Sequence, residues 1–170
     1  KDASEPSSIG AASADAANLQ ISNAMLKIDA DNIATNRGMT IAGDATVNVA
    51  NKNGSVALKG IITGSDGTLI KDGEGQLNIN YPGLNPIKAL VMKAGTLAQG
   101  TKKATLGDIP VSVVGKGTRI NLIANENFDN MPNYRHATDI AEEADLTIGG
   151  TYRGYLNGSF TGKGTLTLNT

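Results

Sequence analysis

Tyr134-Arg135-His136, with Asp139, Glu142 and Glu143 close behind, is the one stretch of this chain that gathers aromatic, cationic and acid/base side chains together, and it holds the only histidine. A histidine beside carboxylates can move protons near neutral pH, and a tyrosine next to an arginine can stack on and hydrogen-bond a sugar. Tyr134, Arg135, His136 and Asp139 are therefore the candidate binding residues, as a sugar-binding surface or an acid/base pair on a projecting loop. The same residues also suit a structural role. Thr138 is an N-cap candidate followed by acidic positions, so Thr138 to Glu143 reads as a short surface helix or turn inserted between regular elements.

Other candidate chemistry is thinner. Asp29-Ala30-Asp31-Asn32 alternates acidic positions as calcium loops do, but it lacks the glycine and distal glutamate of an EF-hand and reads as a solvated turn. There is no cysteine, which excludes a disulfide framework and thiolate metal sites. Arg37, Arg119, Arg135 and Arg153 are scattered along the chain, without the converging basic and acidic side chains that acidic-polysaccharide cleavage needs. No metal site, cofactor or catalytic residue is assigned, and a non-enzyme is expected.

What must position these residues is a different texture. Leu19 and Ile21, Leu26 and Ile28, Met39 and Ile41, Val47 and Val49, and Val56 and Leu58 are apolar pairs two positions apart, the period of a strand. The pattern resumes at Leu77 and Ile79, Leu90 and Met92, Val111 and Val113, Ile120 and Leu122, Leu146 and Ile148, and Leu166 and Leu168. Gly38, Gly43, Asn51 to Gly54 and Gly60 punctuate the early strands as turn residues do. Aromatics make up only 4% of the chain against 39% hydrophobic residues, so the core must be a thin stack of small aliphatic layers.

Anchors at Val56, Leu77, Leu97, Ile120, Leu146 and Leu166 recur every 20 to 26 positions or so, the spacing of a solenoid. Gly73-Glu74-Gly75, Gly115-Lys116-Gly117 and Gly162-Lys163-Gly164 each precede alternating polar and apolar residues, so a corner that tolerates positive φ restarts a strand. None of the three extends to Gly-x-Gly-x-x-Gly or leads into a helical pattern, which disfavours phosphate binding. The predicted fold is all-β, a right-handed parallel β-helix with about three short strands per coil; an antiparallel β-sandwich is the alternative.

Gly67-Thr68-Leu69-Ile70-Lys71-Asp72-Gly73-Glu74-Gly75-Gln76-Leu77-Asn78-Ile79, followed by Val91-Met92-Lys93-Ala94-Gly95-Thr96-Leu97-Ala98-Gln99-Gly100, resembles the autotransporter-associated β-strand repeat. The match covers residues 18 to 100 well and the Gly-x-Gly-x-Leu-x-Leu half again at Gly162 to Leu168, but it is poor from Thr101 to Tyr155. The resemblance implies a right-handed parallel β-helix in a secreted or surface-attached bacterial protein, commonly an adhesin passenger or its stalk, with no catalytic residues.

Residues 1–17 are expected to form a loosely ordered lead-in, and 18–170 a single β-helix domain with an inserted loop or short helix at about 125–145. Tyr152, Tyr155 and Phe160 are expected to cap the last coil or to meet a continuing chain. With 15 basic against 16 acidic residues, nucleic acid and anionic membrane are not expected partners. No apolar run approaches the roughly 18 residues of a membrane helix. The expected partners are a glycan or a host or cell-surface protein, together with a longer chain or second subunit at the ends of the stack. The expected function is a structural or adhesive segment; the alternative is a fragment or accessory carbohydrate-binding domain of a polysaccharide-degrading β-helix enzyme.

Overall fold

The computed structural model describes residues 2, 6, 11–99, 106–123, 132–151 and 155–169. Its strands alternate between two faces as the chain advances. The first sheet holds β1 (Gln20–Ile28), β3 (Met39–Val49), β5 (Ile62–Asp72), β7 (Ile87–Met92), β9 (Val111–Val113), β12 (Thr138–Ile140) and β15 (Phe160–Gly162), in that order. The second holds β2 (Ile33–Thr35), β4 (Ser55–Leu58), β6 (Gln76–Ile79), β8 (Thr96–Gln99), β10 (Thr118–Ile123), β13 (Asp145–Thr151) and β16 (Thr165–Asn169). A third, two-stranded sheet pairs β11 (Asn133–Tyr134) with β14 (Tyr155–Leu156) in the last coils. The chain is a β-solenoid of about six turns, a parallel β-helix. Every strand pairing among the described residues is parallel, so the β-sandwich alternative is excluded.

The alternation in the sequence becomes vertical columns of side chains. In the second sheet Ile33, Val56, Leu77, Leu97, Ile120, Ile148 and Leu168 stand one above another. In the first, Ala45, Leu69, Leu90 and Val111 do the same, all fully buried or nearly so. Each coil buries its apolar face only against its neighbours, as solenoids do. One anchor moves. Ile120 pairs with Ile148, while Leu146 pairs with Thr118, so the sequence anchors slip by two positions at that step. A slip of two leaves the same side chains inward, which is why period-two patterning cannot detect it.

The long strands β1, β3 and β5 bend. Their ladders shift register between Ser22 and Ala24, between Thr40 and Asp44, and between Gly64 and Thr68, where bulges interrupt the pairing. Gly43 has φ +56 at one bend, and a Cβ there would lie 2.2 Å from Asn23 Oδ1 in the coil before, so glycine is required both by the backbone and by the space. Asn23, itself at φ 46, closes the stacked corner by accepting a hydrogen bond from the Asp44 amide at 3.1 Å.

The rungs of the first sheet shorten along the chain. Eight residue pairs join β1 to β3 and seven join β3 to β5, but only three join β9 to β12 and three join β12 to β15.

The described residues include parts of two segments singled out in the sequence. Within the lead-in, a 3-10 turn at Ala16–Asn18 is capped by Asp15, and the Ala14 carbonyl accepts a hydrogen bond from Gly38 N at 3.0 Å. Its described part therefore continues the β1 side of the β1–β3 pairing, bonded to the chain at Gly38 and Thr40. The short helix or turn expected over Thr138 to Glu143 is a rung, β12, followed by a turn at Ala141–Glu143. Tyr134, His136, Thr138 and Ile140 all face inward, and this period-two alternation outweighs the capping pattern. Residues 125–131 of the expected insertion lie outside the described residues.

Candidate functional site

The candidate cluster is divided by its own alternation. Tyr134 and His136 lie inside the coil, 1% and 2% exposed, whereas Arg135 and Asp139 point outward. The ring of Tyr134 stacks on Phe160 at 5.8 Å with 9° between planes and meets His136 edge to face at 4.8 Å. Such pairs add to burial because each ring edge or offset face meets complementary charge. Tyr134 and Thr138 share a hydroxyl hydrogen bond of 2.6 Å, and the Thr138 hydroxyl also donates to the His136 carbonyl at 3.3 Å.

His136 Nδ1 sits 3.1 Å from the Ile109 carbonyl oxygen, so it carries the proton and donates. Burial lowers the His136 pKa below its ordinary value, against the opposing pull of that carbonyl and of Asp108. Burial likewise pushes Tyr134 up to about 12, with the Thr138 hydrogen bond opposing. Both side chains are thus neutral at pH 7 and shut away from solvent. Phe160, in the terminal rung β15, stacks on this cluster; Tyr155 is 52% exposed, and Tyr152 of the expected end cap lies outside the described residues.

Outside, the charged residues pair locally. Arg135 Nη2 lies 2.8 Å from Asp108 Oδ2, and Asp139 accepts from the Thr161 hydroxyl at 3.0 Å. Glu142 and Glu143 lie 3.8 Å from Lys163 and Lys116, each bridging successive corners. The structure brings Tyr134 and His136 together, but it gathers neither of them with Arg135 or Asp139.

The sequence reading passed over Lys71. In the first sheet it occupies a core column between Val47 and Met92, with no exposed surface. Its Nζ donates to the carbonyls of Asp72 at 2.8 Å, Gly73 at 2.7 Å and Ala94 at 3.0 Å, which uses all three ammonium protons. Burial lowers its pKa to about 8, opposed by Asp72, so it remains mostly charged at pH 7. The signal was available. Leu69 and Lys71 are two apart on a strand whose inward parity Leu69 sets, but a lysine is ordinarily assigned outward.

No protein-family model, curated protein or solved structure matches this chain. The fold class rests on the coils themselves, and the likeness to the autotransporter-associated repeat on the residues from Gly67 to Gly100.

Proposed function

We propose that this chain is a non-enzymatic structural or adhesive segment of a secreted or cell-surface bacterial protein, of the kind built from autotransporter-associated repeats. One observation carries the reading: the side chains best equipped for proton transfer, Tyr134 and His136, are used as interior packing, while the outer face of the same coil carries ordinary ion pairs and hydroxyl contacts. A stack of this kind supplies rigid length, and any contact it makes is made by its flanks and corners. The partners that suit it are a glycan or a surface protein. A longer chain or a second subunit suits the strand edges at its ends.

Screening the purified chain against a glycan array and in polysaccharide-depolymerisation assays tests the reading. Binding or silence, without turnover, is the expected result, and release of shorter products would overturn the non-enzymatic assignment. Labelling of intact source cells with an antibody to the chain checks its location; signal only after lysis would refute a surface role.

A further inference from the structure

The outer face of the second sheet is polar and almost uncharged. Its outward side chains at β8, β10 and β13 stand in two columns, Thr96, Arg119 and Thr147 in one and Ala98, Asn121 and Gly149 beside it. Gln76 and Asn78 extend both columns to β6. Arg119 is the single charge among these residues. Asp145, at the corner where β13 starts, accepts from Gly117 N at 2.8 Å, so cation and acid cancel over the face as a whole. A surface built only for solubility carries charge at about a quarter of its positions or more.

The polar groups are fixed in place. Arg119 Nε donates to Asn121 Oδ1, Asn121 Nδ2 to Gln76 Oε1 at 3.4 Å, Gln76 Nε2 to Asn78 Oδ1 at 2.7 Å, and Asn78 Nδ2 to the Val56 carbonyl at 3.3 Å. The run crosses the β8 rung because Ala98 there is small, and it leaves Ala98 no exposed surface. Gly149 seats the other end. A Cβ on it would lie 2.8 Å from Arg119 Nη2 and 3.5 Å from Cζ, so the guanidinium occupies the space that a side chain would fill. With Nε engaged, the two Nη groups have no hydrogen-bond partner and no carboxylate among the described residues. Half-buried Thr96 and Thr147 pair with Arg119 on either side.

We propose that this face binds a neutral glycan chain, whose hydroxyl oxygens accept from the Arg119 Nη groups and whose hydroxyls exchange hydrogen bonds with Thr96, Thr147 and Asn121. The proposal rests on the adhesive reading above and names its ligand class and place. A polyanion needs an excess of cations, which the face does not have. A protein partner is ordinarily anchored by buried aromatic or aliphatic side chains, and the one large apolar side chain pointing outward from this sheet, among the described residues, is Ile123 at its margin. Sugar hydroxyls donate and accept at once, as do the carboxamides and threonine hydroxyls here. Locking the side chains beforehand lowers the entropy lost on binding.

The test is an NMR titration of the isotope-labelled chain with hexasaccharides of cellulose, xylan, mannan and chitin, and with hexagalacturonate as the acidic comparison. At least one neutral oligomer is expected to shift the second-sheet amides, with an affinity that salt changes by less than about threefold. Arg119→Ala is expected to weaken that binding by about tenfold, the loss of a charged donor's contacts. Gly149→Ala keeps the arginine but displaces it, and is expected to weaken binding as much; Arg119→Lys, which keeps the charge without the fork, gives the same loss if the glycine variant does not fold. Failure of every neutral oligomer overturns the proposal, as does tighter binding of hexagalacturonate or binding that Arg119→Ala leaves intact. A glycan-array signal that Arg119→Ala retains moves adhesion to another surface and keeps the adhesive reading. Silence in both assays removes glycan adhesion altogether.

Discussion

Among the coils that bury polar side chains, two solve the problem in opposite ways. At the corner near Gly73 a lysine is buried with its charge, satisfied by three backbone carbonyls from two successive turns. Around Asn133 to Ile140 a tyrosine, a histidine and a threonine are buried neutral, satisfied by one another and by the Ile109 carbonyl. The first device holds backbone to backbone and needs only one unusual residue. The second replaces the aliphatic column with stacked rings and needs several residues at once, Phe160 in the next coil included. A buried charge tolerates little geometric error, whereas an aromatic cluster contributes mostly through area.

The largest test of that contrast is removal of the tyrosine. Tyr134→Ala empties a fully buried ring site and is expected to cost about 3–5 kcal/mol in denaturant unfolding, by analogy with other large aromatic deletions. Tyr134→Phe keeps the stack and loses only the hydroxyl contact, about 1 kcal/mol. If the two variants unfold alike, the ring is not what holds this coil.

Next comes the lysine. Lys71→Met matches the Met92 above it in shape but deprives three buried carbonyls of their donor, with an expected cost of about 1–3 kcal/mol. Stability equal to that of the native chain would mean that desolvating the ammonium cancels its hydrogen bonds.

The two devices also separate by pH. His136 has its folded pKa below 6.5, so the unfolded chain binds the extra proton between those values; its stabilising contribution is complete above pH 6.5 and is lost as pH falls through the folded pKa. Lys71 is lowered from 10.5 to about 8, so between those values the unfolded chain again binds more protons and stability rises with pH. Urea midpoints are therefore expected to climb from pH 8 to pH 10 in the native chain and to stay flatter in Lys71→Met. His136→Gln is expected to reduce the loss on the acid side without altering the alkaline rise. A matching rise in Lys71→Met would assign it to another group.

The smallest effect belongs to the outward half of the candidate cluster. Arg135→Ala breaks the pair with Asp108, whose side chains are more than half exposed, and is expected to cost no more than about 0.5 kcal/mol. A loss above that would show Arg135 doing more than its exposed pairing explains.

Most of the coil stack was legible in the sequence, because apolar pairs at spacing two and Gly-x-Gly corners carry the architecture directly. Positive φ falls at Gly73, Gly117 and Gly162, one glycine in each of the three motifs. The lateral register was less legible: an even slip at Ile120 costs no core contact and leaves no trace in the pattern. The candidate site misled for a related reason. Tyr134, His136 and Thr138 keep strand parity with Ile140, but their polar character suggested a surface, as the charge of Lys71 did in its own column. Parity was the better guide to direction, and residue type indicated only what partners each side chain would need.

The two sheets taper in opposite directions, since second-sheet ladders grow from three pairs at β2–β4 to six at β10–β13 and five at β13–β16. Pulled along its axis, a solenoid carries the load through its coil interfaces in series, so the least reinforced one yields first. In the first sheet the three-pair ladders that join β9, β12 and β15 lie toward the carboxyl end, and the eight-pair ladder lies at the other. With both sheets counted, the lightest interface among the described residues joins the coil of β7 and β8 to that of β9 and β10, with three pairs in one sheet and four in the other, so tension would part the stack at its middle and not at either end.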